Sequence, residues 1–285
     1  MTVRTTDRAL KSAPRDSVRA AALRPLHDPR PRPVQVVILA AGMGTRLGRS
    51  LPKPLTPLRD GRSIQHRQLG ALREAFGAGV DVTVVVGYRA KKIMRHSAGV
   101  RFAYNPDYAT TNTSKSLLTG LSVTRDGGAL WLNGDVVFDA DVLEHALGLV
   151  AADESFVCVD TSTVGEEEVK YTLDADGCIR HLSKTVTGGL GEAVGINYVA
   201  AADKPVLLEH LARCADQDYF ERGIETAITD AGLRFRPLDI SAFAAVEVDF
   251  ETDLERANAL FWGSPVTDLL ADGVLGDGVL AAEAG

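Results

Sequence analysis

The apolar positions of this chain fall into short runs separated by amphipathic stretches. Val34-Gln35-Val36-Val37-Ile38 reads as a buried strand. Residues 81–86 (DVTVVV), 100–104 (VRFAY) and 129–133 (ALWLN) are β-branched or aromatic and predict further strands. Between them, 63–76 places Ile64, Leu69, Leu72 and Phe76 on one helical face, and 114–123 reads as a leucine-rich helix. Alternation of this kind predicts an α/β, Rossmann-like fold: a mostly parallel sheet with helices on both faces. Ligands of such sheets sit beyond the carboxyl ends of the strands.

The pattern changes further on. Residues 168–173 and 178–183 flank Asp174-Ala175-Asp176-Gly177, a hairpin turn signal, and Ala193 to Val199 reads as another strand. This β-rich insertion, 168–199, is expected to wall the site. No internal repeat is visible. The domain is expected over 34–262, with 1–33 a disordered or peripheral leader and 263–285 a peripheral tail. The leader is rich in arginine, ends in the proline-rich stretch 25–33 and lacks the apolar region of a secretory signal.

The first strand runs into LAAGMGTRLGRSLPKPL, Leu39 to Leu55. Gly42 and Gly44 allow a sharp bend that turns bare N–H groups toward phosphate oxygens. Arg46 and Lys53 supply positive charge, and Pro52 and Pro54 are expected to hold Lys53 on an extended arm. The pattern suits a nucleoside triphosphate. A dinucleotide fingerprint is excluded, because Leu47 occupies the third-glycine position and no acidic residue ends a second strand about 20 positions on. A G-x-x-x-x-G-K-[ST] loop is absent from the sequence. A bare tight turn would explain the glycines but not Thr45, Arg46 and Lys53 together.

Two acids follow apolar strands: Asp135 after Ala129–Leu132, and Asp249 at the end of Val246-Glu247-Val248. Each is placed to bind Mg²⁺ or to cap a helix, and Thr252 and Asp253 are rival caps for the helix at 250–262. Asp139 is expected to open a helix at 140–150. Asn112 could read a base through its amide, or Thr113 or Ser114 could simply start the next helix. Glu221 and Glu225, one turn apart, read as an exposed helix face.

Composition narrows the function classes. A net charge of −7 argues against a nucleic-acid partner. No apolar run reaches the roughly 18 residues of a membrane span, and a cytoplasmic protein is expected. Cys158, Cys178 and Cys214 form neither a metal cluster nor a disulfide framework and read as buried thiols. The six histidines are scattered and read as structural or exposed.

The run from Leu39 to Leu55 resembles the G-x-G-T-R…K-P-L signature of the nucleotidyltransferase, or pyrophosphorylase, superfamily. The resemblance implies a GT-A-like fold and a nucleotide site at Leu39, Ala40, Ala41, Gly42, Gly44, Thr45, Asn112 and Ser114. It implies Mg²⁺ held by Asp135 and Asp249, with Arg46, Lys53 and Lys184 as catalytic groups. Hexose-1-phosphate enzymes of the superfamily usually carry Glu-Lys-Pro where this chain has Ser183-Lys184-Thr185. Lys170, Lys184 and Glu192 are instead similar to the acceptor-binding positions of cytidylyltransferases for phosphocholine, inositol phosphate and small phosphonates. The implied reaction is transfer of CMP from CTP to a small phosphorylated or phosphonylated alcohol, with pyrophosphate released. A sugar-1-phosphate enzyme using UTP, dTTP or GTP is the alternative. A non-catalytic nucleotide-sensing subunit is a third reading, weakened because every expected charged residue is present. A homodimer is left open.

Overall fold

The structure is a computed structural model, and it describes residues 33–262 other than 163, 166 and 167. The leader, apart from Pro33, and the tail lie outside the described residues. The central sheet runs β10-β6-β9-β4-β1-β2-β3. Its parallel core is β1 (Gln35–Ala40), β2 (Asp81–Val86), β3 (Arg101–Tyr104) and β4 (Ala129–Asn133). The pair β6 (Phe156–Asp160) and β10 (Arg236–Asp239) is also parallel, whereas β9 (Glu192–Val199) runs antiparallel to both β4 and β6.

Both faces of the sheet are buried, and the alternation along β1 shows why. Val36, Ile38 and Ala40 join a core under α1 (Ile64–Phe76), α2 (Ala90–His96) and α4 (Asp141–Ala151). Val37, Leu39 and Ala41 join the opposite core under α3 (Thr113–Ser122), α5 (Lys204–Arg213) and α6 (Phe220–Ala231). A strand covered on both sides must be apolar throughout, as Val36–Ala41 is. The three cysteines are buried and free. Among the described residues, no helix is long and apolar enough to cross a membrane.

The insertion forms the predicted hairpin, β7 (Lys170–Leu173) with β8 (Ile179–Ser183). The Asp174 carboxylate closes the turn by accepting from the N–H groups of Asp176 and Cys178, both at 2.9 Å. A second, two-stranded ribbon pairs β5 (Val136–Phe138) with β11 (Ala245–Glu247), and α7 (Glu251–Trp262) follows it. Their core includes Leu47, Leu58, Val246, Val248 and Leu254. This ribbon brings the last part of the domain back beside the glycine-rich turn.

Two local expectations are corrected. Lys53 does not ride an extended arm: Lys53–Leu55 is one turn of 3₁₀ helix, and Lys53 is 9% exposed. A proline inside the first turn has the φ a helix needs and gives up an N–H that would be unbonded anyway. The face expected at Glu221 and Glu225 is not exposed: Glu221 is 8% accessible, and the Glu225 side chain is largely covered. The hairpin packs over α6, and Glu225 accepts from the Leu182 N–H at 3.3 Å. Asp139 does stand at the opening of α4: Ala140 holds the cap position, and the Asp141 N–H donates to Asp139 Oδ1 at 3.4 Å.

Candidate nucleotidyl-transfer site

The glycine-rich turn leaves β1 and closes into a 3₁₀ turn, Thr45–Leu47, between Gly44 and Gly48, both left-handed. Gly44 has φ +56°, and a Cβ there would lie 2.7 Å from Lys53 Cγ. Glycine is needed at this position twice over, for the backbone and for the lysine that crosses it.

Asp135 is fixed by its main chain. The Gly134 N–H donates to Leu39 O at 2.9 Å, a contact so close that a Cβ on Gly134 would sit 2.4 Å from that oxygen. Gln68 of α1 donates to Asn133 O at 2.8 Å and to Val136 O at 2.9 Å, clamping the turn from below. The Val248 N–H donates to Asp135 O at 3.0 Å and draws the late acidic segment alongside. Asp135 leads into β5, so the helix-cap reading falls. For Asp249 the cap is Asp253, whose Oδ2 accepts from the N–H groups of Asp249 and Phe250 at 3.0 and 2.8 Å. The Asp249 carboxylate is left for the cluster.

Asp135, Glu247 and Asp249 each offer an oxygen, all within 4.8 Å of one another. The sequence reading missed Glu247. The signal was there: Val246 and Val248 are buried, so an extended backbone puts residues 247 and 249 on the opposite side together. Lys53 stands over the cluster, its Nζ 3.2 Å from Asp135 Oδ2 and also bonded to Asp249 Oδ1. Arg46 Nη1 donates to Asp249 Oδ2 at 2.6 Å. Burial alone would lower the Lys53 pKa, but Asp135 and then Asp249 outweigh it and hold it above its ordinary value. Burial and then the charges of Asp135 and Asp249 push Glu247 well above the usual carboxylate range.

These groups share a cavity of about 360 Å³ with the turn itself. Leu39, Ala40, Ala41, Gly42, Gly44 and Thr45 line it, as do Arg46, Lys53, Asp135, Glu247 and Asp249. Asn112 lines it too. It is the cap of α3, which starts at Thr113, and its amide donates to Gln217 O at 3.3 Å. Ser114 is fully buried away from the cavity lining. Lys170, Lys184 and Glu192 are also absent from the lining. Lys170 and Glu192 pair across β7 and β9, and Glu192 accepts from the Gly165 N–H at 3.2 Å. Lys184 lies after β8 with its ammonium 5.1 Å from the ring of Tyr219, which does line the cavity.

Residues 36–222 match the family of MobA-like NTP transferase domains. The chain belongs to that family. It therefore carries a nucleotidyltransferase domain. It is 31% identical over 252 residues to a CMP-5'-(3-aminopropyl)phosphonate synthase of Streptomyces rubellomurinus, covering 80% of this chain and 39% of that protein. To a bifunctional protein GlmU of Jannaschia sp. it is 24% identical, covering 86% of this chain and 56% of the relative. The chain thus spans well under two thirds of these curated relatives. The fold matches the inositol-1-phosphate CTP transferase from T. maritima (TM-score 0.65, 17% identity, 82% of this chain and 99% of the other). It also matches the phosphocholine cytidylyltransferase from Streptococcus pneumoniae (TM-score 0.61, 18% identity, 79% and 98%).

Proposed function

We propose that this chain transfers CMP from CTP to a small phosphorylated or phosphonylated alcohol and releases pyrophosphate. The observation that carries this reading is the meeting of Arg46, Lys53 and three carboxylates beside the glycine-rich turn in one cavity. Two cations beside bare backbone N–H groups suit a triphosphate. The relative named for a CMP-phosphonate product supports cytidine and a small phosphonate head group.

Asp135, Glu247 and Asp249 form an all-oxygen donor set, which fits a hard cation such as Mg²⁺. Bound there, Mg²⁺ would neutralise phosphate charge and favour in-line displacement. Lys53 and Arg46 now neutralise the same carboxylates, and with nucleotide bound they turn to the phosphate oxygens. The acceptor phosphate is already ionised, so no side-chain nucleophile is required. Asn112 faces the base from the cavity wall. Lys170, Lys184 and Glu192 are assigned to the acceptor, with Lys184 beside Tyr219 of the cavity wall.

The test is pyrophosphate release with Mg²⁺, crossing CTP, UTP, dTTP and GTP with phosphocholine, 2-aminoethylphosphonate, inositol phosphate and glucose-1-phosphate. Release confined to CTP and a small head group supports the assignment. Release with glucose-1-phosphate would replace it with a sugar-1-phosphate enzyme.

A further inference from the structure

Outside the transfer cavity, the segment Arg89-Ala90-Lys91-Lys92-Ile93-Met94-Arg95-His96 carries four Lys or Arg and no acid, in a chain whose net charge is −7. Arg89, Lys91, Lys92 and Arg95 line one groove of about 580 Å³ together with Tyr104. None of its lining residues lines the transfer cavity. Among the described residues, none of the four cations has a carboxylate partner. The Tyr104 ring is 57% exposed, an uncommon degree for an aromatic side chain, and stands as a free platform at the groove. Clustered cations that no acid neutralises repel one another, and a polyanion relieves that repulsion.

Two bonds from the start of this segment reach the two ends of the glycine-rich turn. The Tyr88 N–H donates to Ala41 O at 2.9 Å, where the turn begins. The Arg89 guanidinium donates to Ser50 O, just beyond the turn that carries Arg46. Arg89 holds a left-handed backbone, φ 49°, which a residue with a Cβ adopts at a cost.

We propose that this groove is a second anion site, which takes the polyphosphate chain of a free nucleotide with its base on Tyr104. Phosphate oxygens there compete with Ser50 O for the Arg89 guanidinium. Occupancy therefore loosens residues 45–50 and with them the grip of Arg46. The inference does not depend on the acceptor, and inorganic tripolyphosphate counts sites without reference to the base.

The experiment is calorimetric titration of the full chain with tripolyphosphate and with CTP, comparing wild type with Lys91→Gln/Arg95→Gln. Wild type is expected to bind two equivalents of each. The double variant should keep one and weaken the other by at least about tenfold, with turnover at low CTP unchanged. Hydrogen exchange over 45–50 should rise with saturating tripolyphosphate in wild type beyond the level in the variant. Tyr104→Ala should weaken the second equivalent of CTP but not of tripolyphosphate; equal affinities would remove the nucleotide and leave a bare phosphate site. Two undiminished equivalents in the double variant, or a single wild-type equivalent that the double variant keeps at full affinity, overturns the proposal.

Discussion

Arg46 Nη1 lies 2.6 Å from Asp249 Oδ2, a bond that joins residues 203 positions apart and ties the glycine-rich turn to the segment between β11 and α7. Lys53 makes the same closure through Asp135 and Asp249. The charges we assign to phosphate and to metal therefore hold each other in this structure.

Lys53→Met is expected to reduce turnover strongly and to destabilise the metal-free protein by of order 2–3 kcal/mol, because three carboxylates lose their buried counter-charge. Added Mg²⁺ should restore much of the melting temperature but not the activity. Thermal melts with and without Mg²⁺ check this. An unchanged melting temperature without metal would show that Lys53 carries no electrostatic weight there.

Glu247→Gln should weaken Mg²⁺ binding by at least about tenfold. In the wild type, Glu247 holds its proton to higher pH than an ordinary carboxylate. That proton must leave for a cation to bind, so affinity rises with pH through this range and binding releases protons. Titration calorimetry in two buffers of different ionisation enthalpy measures the release. Binding that is independent of pH would remove Glu247 from the donor set.

Glu221 gives a separate pH effect. Burial raises its pKa from 4.5 to about 7, and its Oε2 has no partner among the described atoms. The folded state then binds the proton more tightly than the unfolded state. Stability contributed by this group is full below pH 4.5 and is lost as pH rises toward 7, a change of order 3 kcal/mol. Glu221→Gln should flatten the stability profile between these limits, as denaturant midpoints would show. A slope identical to wild type would place the titration elsewhere.

Much of this was legible in the sequence. The Val36–Ala41 run predicts a doubly covered strand because only an apolar backbone can lie between two helix layers. The G-x-G-T-R run located the cavity, and Asp135 and Asp249 followed from their strand ends. Other features depend on tertiary packing that no local pattern encodes. The direction of β9 follows from the insertion, which returns the chain from the opposite end of the sheet. Glu221 has an ordinary first-turn helical sequence, and its burial comes from the elements packed on α6: α3, α5 and the hairpin strand β8. Lys53 between prolines looks extended, yet proline fits the first turn of a helix equally well.

Gly44→Ala separates backbone from charge. A methyl at φ +56°, 2.7 Å from Lys53 Cγ, should cost about 1–2 kcal/mol and displace the lysine, lowering turnover without removing any charge. Stability curves and steady-state rates on the same preparation check both effects. Full activity would mean that the turn tolerates a side chain and that Lys53 is not held by it.

The most direct test of the transfer centre is pyrophosphate release from CTP and 2-aminoethylphosphonate with Mg²⁺, comparing wild type with Asp135→Asn. The account predicts release by the wild type and a rate lower by about 10²-fold or more in the variant, which retains the fold but loses a charge from the cluster. Equal rates for the two proteins would contradict it.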